Sequence, residues 1–291
     1  MKLTLAATLI VCLPASSPTG KAPLRLAPAY SASSLVNSAS NEPGPIAPNT
    51  IVSLYGTELA CGTRALDGGD LQGSSLPLVL PGSGVRIAVN SIGAHIYFVS
   101  PRQINLLIPS SLKEGAAMLQ LTLDGRAGPI IRFPLAAAAP ALYLQADKIA
   151  IATSPSGSLY TLQSPASPGD WVILYATGLG LTKPAAAYGE ISRRAAPLAQ
   201  TDDFHVLLNG ASLEAARVGY VGLAPGFAGL YQINLHLPDA TAPNPEIRIV
   251  MSSATSPASV ILPVAQALKP VASQSSGRPK PGHAQSRLMN K

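Results

Sequence analysis

Apolar and polar residues alternate in short runs along most of this chain. In VRIAVN, Val85, Ile87 and Val89 alternate with Arg86, Ala88 and Asn90, and a period of two predicts a strand with one face buried. In QINLLIP, Ile104, Leu106 and Ile108 share one face; in QINLHLP, Ile233, Leu235 and Leu237 do the same. Gln and Asn take the opposite face, and Pro109 or Pro238 ends the strand because proline has no N–H for the ladder. MLQLTLDGR (118–126) predicts a strand that runs into an Asp-Gly turn, Asn209-Gly210 marks a second turn, and EIRIVM (246–251) alternates again. No stretch holds a helical period over ten residues; SLKEGAAMLQL comes nearest, and Gly115 interrupts it. About seven short strands per ~100 residues, with turn signals between them, predict a β-sandwich.

The runs also recur. PNTIVSLYGTEL (48–59) matches PGDWVILYATGL (168–179) at an offset of 120, and VRIAVNS (85–91) matches FHVLLNG (204–210) at 119. QINLLIP (103–109) matches QINLHLP (232–238) at 129. Three blocks in the same order, with about ten extra residues before the last block of the second copy, predict two copies of one unit. The expected architecture is therefore all-β: two tandem immunoglobulin-like β-sandwich domains, at residues 30–143 and 144–265.

Composition agrees with this and narrows the compartment. The chain has 291 residues, 28 of them Pro and 25 Gly, and only 12% are charged. That excludes a coiled coil or a helix bundle. Lys2 followed by the apolar stretch Leu3–Leu13 and then small residues reads as a secretory signal over residues 1–17, with 18–29 as a linker. The stretch is shorter than the ~20 residues that span a bilayer. Cys12 raises lipidation as an alternative, against which stands Val11 where a small residue is expected. After signal removal no transmembrane segment is expected, and the protein should be secreted or extracytoplasmic, in the periplasm or at the cell surface. The formal charge of +6 has little meaning for the domains: residues 41–265 carry 12 basic and 14 acidic side chains, net −2. The excess lies in the leader region and in a tail (266–291) of disorder-type composition with five basic residues and no acid. Specific nucleic-acid binding is not expected, because it needs basic residues interleaved with aromatics on a folded surface.

At the residues SLVNSASNEPGPIAPNTIVSLYGTELA (34–60), YFVSPRQINLLIPSSLKEGAAMLQLTLDG (97–125), APALY (139–143), VILYATGLG (172–180) and GYVGLAPGFAGLYQINLHLP (219–238), the chain resembles the uncharacterised secreted repeat domain of Solibacter-type Acidobacteria. The resemblance covers roughly residues 30–265. It implies an exported all-β protein distantly similar to IPT/TIG immunoglobulin-like folds, with no activity and no catalytic residue to transfer.

No catalytic constellation emerges from the residues themselves. There is no G-x-S-x-G, and Ser110-Ser111-Leu112-Lys113 matches S-x-x-K without the companion motifs that chemistry requires. His95, His205, His236 and His283 lack metal-ligand spacing; His205 and His236 should face solvent, with a weak surface metal site between paired strands as the alternative. Asp67 and Asp70 lie in a Gly-rich loop without an EF-hand pattern, and the adjacent Asp202 and Asp203 cannot face each other across a substrate. Gly178-Leu179-Gly180 lacks the third glycine and the following helix of a dinucleotide fingerprint, so a turn is expected. Cys61, the one cysteine after signal removal, reads as a small packed residue. No metal and no cofactor is expected.

The loop GLAPGFAGLY (222–231) is the most distinctive segment. Tyr220, Phe227 and Tyr231 are candidate ligand-binding residues, forming an aromatic ledge for a sugar ring or a partner chain; alternatively they close the sandwich. The functional expectation is a non-catalytic exported protein acting in adhesion or recognition at the cell surface, with an unknown protein or polysaccharide as partner. The alternative is a carbohydrate-binding accessory module for a separate secreted hydrolase.

Overall fold

The computed structural model describes residues 26–266. The expected signal segment, Cys12 and all of the basic tail beyond residue 266 lie outside them. The described chain is all-β: two tandem immunoglobulin-like β-sandwich domains, with every strand pair antiparallel. Among the described residues, helical structure is confined to three-residue 3-10 turns, and no helix is long and apolar enough to cross a membrane.

In the first sandwich, one sheet runs Leu35–Asn37, Ile51–Tyr55, Gln103–Leu107, His95–Val99, Arg64–Ala65. The other runs Ile131–Leu135, Gly115–Leu123, Val85–Val89, Ile92–Gly93. Val52, Leu54, Ile104 and Leu106 from the first meet Val85, Ile87, Leu119 and Leu121 from the second in one core. Each such side chain contributes about 1.5–3 kcal/mol by leaving water, so the two alternating stripes hold the sheets face to face. Gly115, which interrupts the helical pattern, stands at φ 131 and opens the nine-residue strand Gly115–Leu123.

The second sandwich follows the same plan. Its sheets run Ala141–Leu142, Trp171–Thr177, Tyr231–His236, Val218–Leu223, Ala196–Pro197 and Ala211–Ser212, Phe204–Leu208, Ile247–Met251, Ala254–Thr255. Residue pairs coincide at fixed offsets. Val52 faces Leu106 and Val172 faces Leu235; Tyr55 faces Gln103 and Tyr175 faces Gln232. The chain crosses between sandwiches over residues 136–140, just before the expected boundary at 143, and Ala141–Leu142 already pairs with Thr177 and Ala176.

Both sandwiches break register at one place. The bulge falls between Ile96 and Phe98 in the first and between Val218 and Tyr220 in the second, so Tyr97 and Gly219 occupy equivalent positions. From there the hairpins diverge. In the first, Ser100–Gln103 closes a tight turn, with Ser100 N donating to Gln103 O at 2.8 Å. In the second, the strands continue to the Leu223–Tyr231 pair, and Ala224 N donates to Leu230 O at 2.9 Å across the GLAPGFAGLY loop. Most of the extra residues of the second sandwich sit in this loop, which reaches across to the first.

Candidate functional site

The two sandwiches meet at a seam on the outer face of the first sheet. Because strand residues alternate, Val52 and Leu54 point into the core while Ile51, Ser53 and Tyr55 point out. Ile51 and Leu107, cross-strand neighbours on that outer face, pack with Leu76 and with Ala228 of the loop. Gly229 is required here: at φ +70, a Cβ would lie 2.3 Å from Leu107 Cδ1 and 2.8 Å from Asn49 O.

Polar groups fasten the same seam. Tyr97, the bulge residue, donates from its hydroxyl to Ala228 O at 2.5 Å and accepts from Ala228 N at 3.1 Å. Thr177 Oγ1 accepts from Ile51 N at 3.0 Å and donates to Gly229 O at 2.8 Å. Tyr188 donates to the carbonyl of Leu107 at 2.9 Å and sits edge-on to His95, with ring centroids 4.6 Å apart. Burial pushes the phenols of Tyr97 and Tyr188 well up, those of Tyr143 and Tyr231 up to about 12, and the His95 imidazole down.

Beside the seam lies an open groove of about 620 Å³. The first sandwich supplies Ser53, Tyr55, Tyr97, Gln103 and Asn105 from its outer sheet face; the second supplies Tyr143, Gln145 and Phe227. The polar side chains are held in place before any ligand arrives. Asn105 Oδ1 accepts from Ser53 Oγ at 3.0 Å and from Gln103 Nε2 at 2.9 Å, so the three side chains hold one another in place. Tyr55 donates to Asn41 Oδ1 at 2.9 Å, and the hydroxyls of Ser38 and Tyr143 lie 2.8 Å apart. No carboxyl side chain lines this groove.

The three aromatic candidates from the sequence do not form one ledge. Tyr231 is 0% exposed, and its hydroxyl donates to the Gly180 carbonyl while accepting from Asn49 Nδ2 at 3.1 Å. It belongs to the core of the second sandwich, because it shares strand parity with Ile233 and Leu235. Tyr220 is half-buried, and its hydroxyl is engaged by Leu223 O at 2.8 Å and Ala196 N at 3.2 Å. Phe227 alone is open, 48% exposed, at the rim of the groove. Sequence reasoning missed Tyr55, Tyr97, Tyr143, Gln103 and Asn105. The signal available was the outward parity of the PNTIVSLYGTEL and QINLLIP blocks, which puts Tyr55 beside Gln103.

The remaining candidates resolve individually. His205 and His236 lie in different sheets of the second sandwich and are not brought together; His236 stacks on Trp171 at 5.0 Å. Asp67 Oδ1 accepts from Gly69 N, and Asp70 accepts from Asp67 N and pairs with Arg64 at 2.5 Å, so these carboxylates close the loop itself. Asp203 Oδ2 accepts from Ser252 Oγ at 3.1 Å. Gly178 and Gly180 stand at φ 79 and 88 in the irregular segment that follows the strand Trp171–Thr177. Cys61 is half-buried, with its Sγ 3.8 Å from Asp124 Oδ2. Among the described residues no three His, Cys, Asp or Glu side chains gather at metal-binding distance.

No family model matches the chain, and no curated protein matches it. Among solved structures, similarity is found to the SGBP-B of the Bacteroides ovatus mixed-linkage glucan utilization locus in complex with mixed-linkage heptasaccharide. The identity is 10% and the TM-score 0.31, over 76% of this chain and 44% of that one. The surface glycan-binding protein PbSGBP-B from Prevotella bryantii matches at 10% and 0.24, over 79% of this chain and 41% of that one. Domains 5–6 of the S-layer protein SbsC match at 10% and 0.26, over 83% of this chain and all of that one. The chain thus spans less than half the length of the first two.

Proposed function

We propose that this is an exported, non-catalytic polysaccharide-binding protein whose ligand enters the groove between the sandwiches. The observation that carries the reading is the lining: four aromatic rings (Tyr55, Tyr97, Tyr143, Phe227) around fixed amides and hydroxyls (Ser53, Gln103, Asn105). A pyranose ring has an apolar C–H face and a rim of hydroxyls, so it is held by a flat aromatic surface with hydrogen-bonding groups beside it. Prior anchoring of those groups reduces the ordering that binding would otherwise require. A protein partner is better served by a broad apolar patch than by a concave site so rich in amides. Hydrolysis of a glycoside requires two carboxyl groups about the scissile bond, which this lining does not supply. The leader-like N-terminus supports export to the surface, where a separate hydrolase would benefit from a retained substrate.

The test is affinity electrophoresis of the purified chain in soluble β-glucan, xylan, mannan and chitosan gels. At least one gel should retard the wild type. Phe227→Ala and Tyr55→Ala should each weaken that retardation about tenfold, the equivalent of about 1.4 kcal/mol. Wild-type mobility unaltered in every gel overturns the reading.

A further inference from the structure

The outer face of the second sheet carries aromatic groups of its own. Trp171 is 42% exposed, although it lies on a strand whose alternate residues Val172, Leu174 and Ala176 are buried. Its register partner across the sheet is His236, and the two rings stack at 26° with centroids 5.0 Å apart. On the next strand stands Gly219, where a Cβ would come within 2.8 Å of the indole. The missing side chain at the bulge lets the indole lie across the sheet, leaving its other face to solvent. Asn234 shares this face with His236, and Arg217 Nη1, which donates to Leu237 O at 3.2 Å, brings a charged donor alongside.

This platform continues into the groove. Tyr143 lines the groove and donates its backbone N–H to Tyr175 O at 2.9 Å, which places the two residues side by side on one sheet face. From Tyr175, alternate residues Ile173 and Trp171 carry the same face outward, away from the seam at Thr177. Six residues at ~3.3 Å each put Trp171 about 20 Å from the seam.

We infer that the groove and the Trp171 platform are two ends of one binding track for a linear polysaccharide, with the indole stacking on the C–H face of a distal pyranose. This rests on the groove reading and sharpens its ligand class: an unbranched chain long enough to span both ends. Isolated aromatic exposure flanked by amide, imidazole and guanidinium groups matches a sugar ring and its hydroxyls rather than a second apolar protein face.

The experiment is calorimetric titration of the full chain with trimers and octamers of cello-, xylo-, manno- and chito-oligosaccharides. Trp171→Ala should weaken octamer binding at least tenfold, leave trimer binding within twofold, and leave the melting temperature nearly unchanged; Trp171→Phe should restore most of the octamer affinity. Phe227→Ala should weaken both lengths. Octamer affinity unchanged by Trp171→Ala, or equal losses for both lengths, overturns the track while leaving the groove in place. Self-association of the wild type that Trp171→Ala abolishes would identify the platform as a protein interface and also overturn it. If neither length binds the wild type, the groove reading falls with it.

Discussion

The outer faces of the two leading sheets hold the same positions and do opposite things. Ile51 and Leu107 in the first correspond to Trp171 and His236 in the second, each pair directly across the same two strands. The first pair is under the loop of the second sandwich, with Leu107 fully buried; in the second, Trp171 is exposed and His236 half-buried. The bulge changes with them. Tyr97 reaches from it to Ala228, whereas Gly219 leaves space for an indole. A common strand register is thus a covered seam in one sandwich and a more open face in the other, with three side-chain differences between them. The inward faces differ far less: Val52, Leu54, Ile104 and Leu106 answer Val172, Leu174, Ile233 and Leu235. Core positions are tied to the fold by packing, while the outward positions of the same strands are available for specialisation.

Exchanging the pairs breaks the comparison most directly. Leu107→His puts a polar imidazole among the buried Ile51, Leu76 and Ala228 and removes a fully buried apolar side chain, so stability should fall by about 3 kcal/mol. The reciprocal His236→Leu, on the open face, should stay within about 0.5 kcal/mol. Urea unfolding of both variants reads the difference, and equal losses would mean that the two faces are not distinguished by burial.

This contrast also marks where the sequence was readable. Alternation in VRIAVN and the QIN blocks placed strands, faces and fold class, because a half-buried strand advertises itself with a period of two. The same parity assigns Tyr231 to the core with Ile233 and Leu235, yet the Pro- and Gly-rich loop before it drew attention to its aromatic ring as a surface feature. The groove was not readable. It joins Tyr55 and Gln103 to Tyr143 and Phe227, and nothing in local periodicity encodes how a loop of one sandwich docks on the sheet of the other. Only outward strand parity hinted at it, by setting Tyr55 beside Gln103.

A smaller, graded effect should follow pH. The phenols of Tyr143 and Tyr231 are raised by burial from 10.0 to about 12 in the folded chain, and those of Tyr97 and Tyr188 are raised as well. Well below pH 10 folded and unfolded chains both hold these protons, so the four phenols add no pH dependence there. Above it the unfolded chain releases them first, and stability should decline between pH 10 and about 12. All four rings line or adjoin the seam, so the decline should be accompanied by its loosening. Tyr231→Phe should reduce stability at neutral pH by about 1–2 kcal/mol, through the bonds lost to Gly180 and Asn49. It should also flatten part of the alkaline slope in melts run across this range. A slope unaltered by the substitution would place the titrating groups elsewhere.

The smallest effect tests the copies at their most similar point. Two-residue turns join Val85–Val89 to Ile92–Gly93 and Phe204–Leu208 to Ala211–Ser212, with Val89 facing Ile92 and Leu208 facing Ala211. In each the first turn residue is Asn at positive φ, 47 for Asn90 and 48 for Asn209, whose Oδ1 accepts from Met118 N or Glu246 N. The second residue differs: Ser91 is held at φ 66, Gly210 at φ 80. A side chain in the left-handed region costs about 1–2 kcal/mol, and glycine gives part of that back through its freer unfolded state. Ser91→Gly should therefore stabilise the first sandwich by up to about 1 kcal/mol, and Gly210→Ser should destabilise the second by a similar amount. Opposite signs at equivalent positions are what one turn geometry in both hairpins requires. Shifts of the same sign in the two melts would show that the surroundings of each hairpin, rather than its shared backbone, decide the outcome.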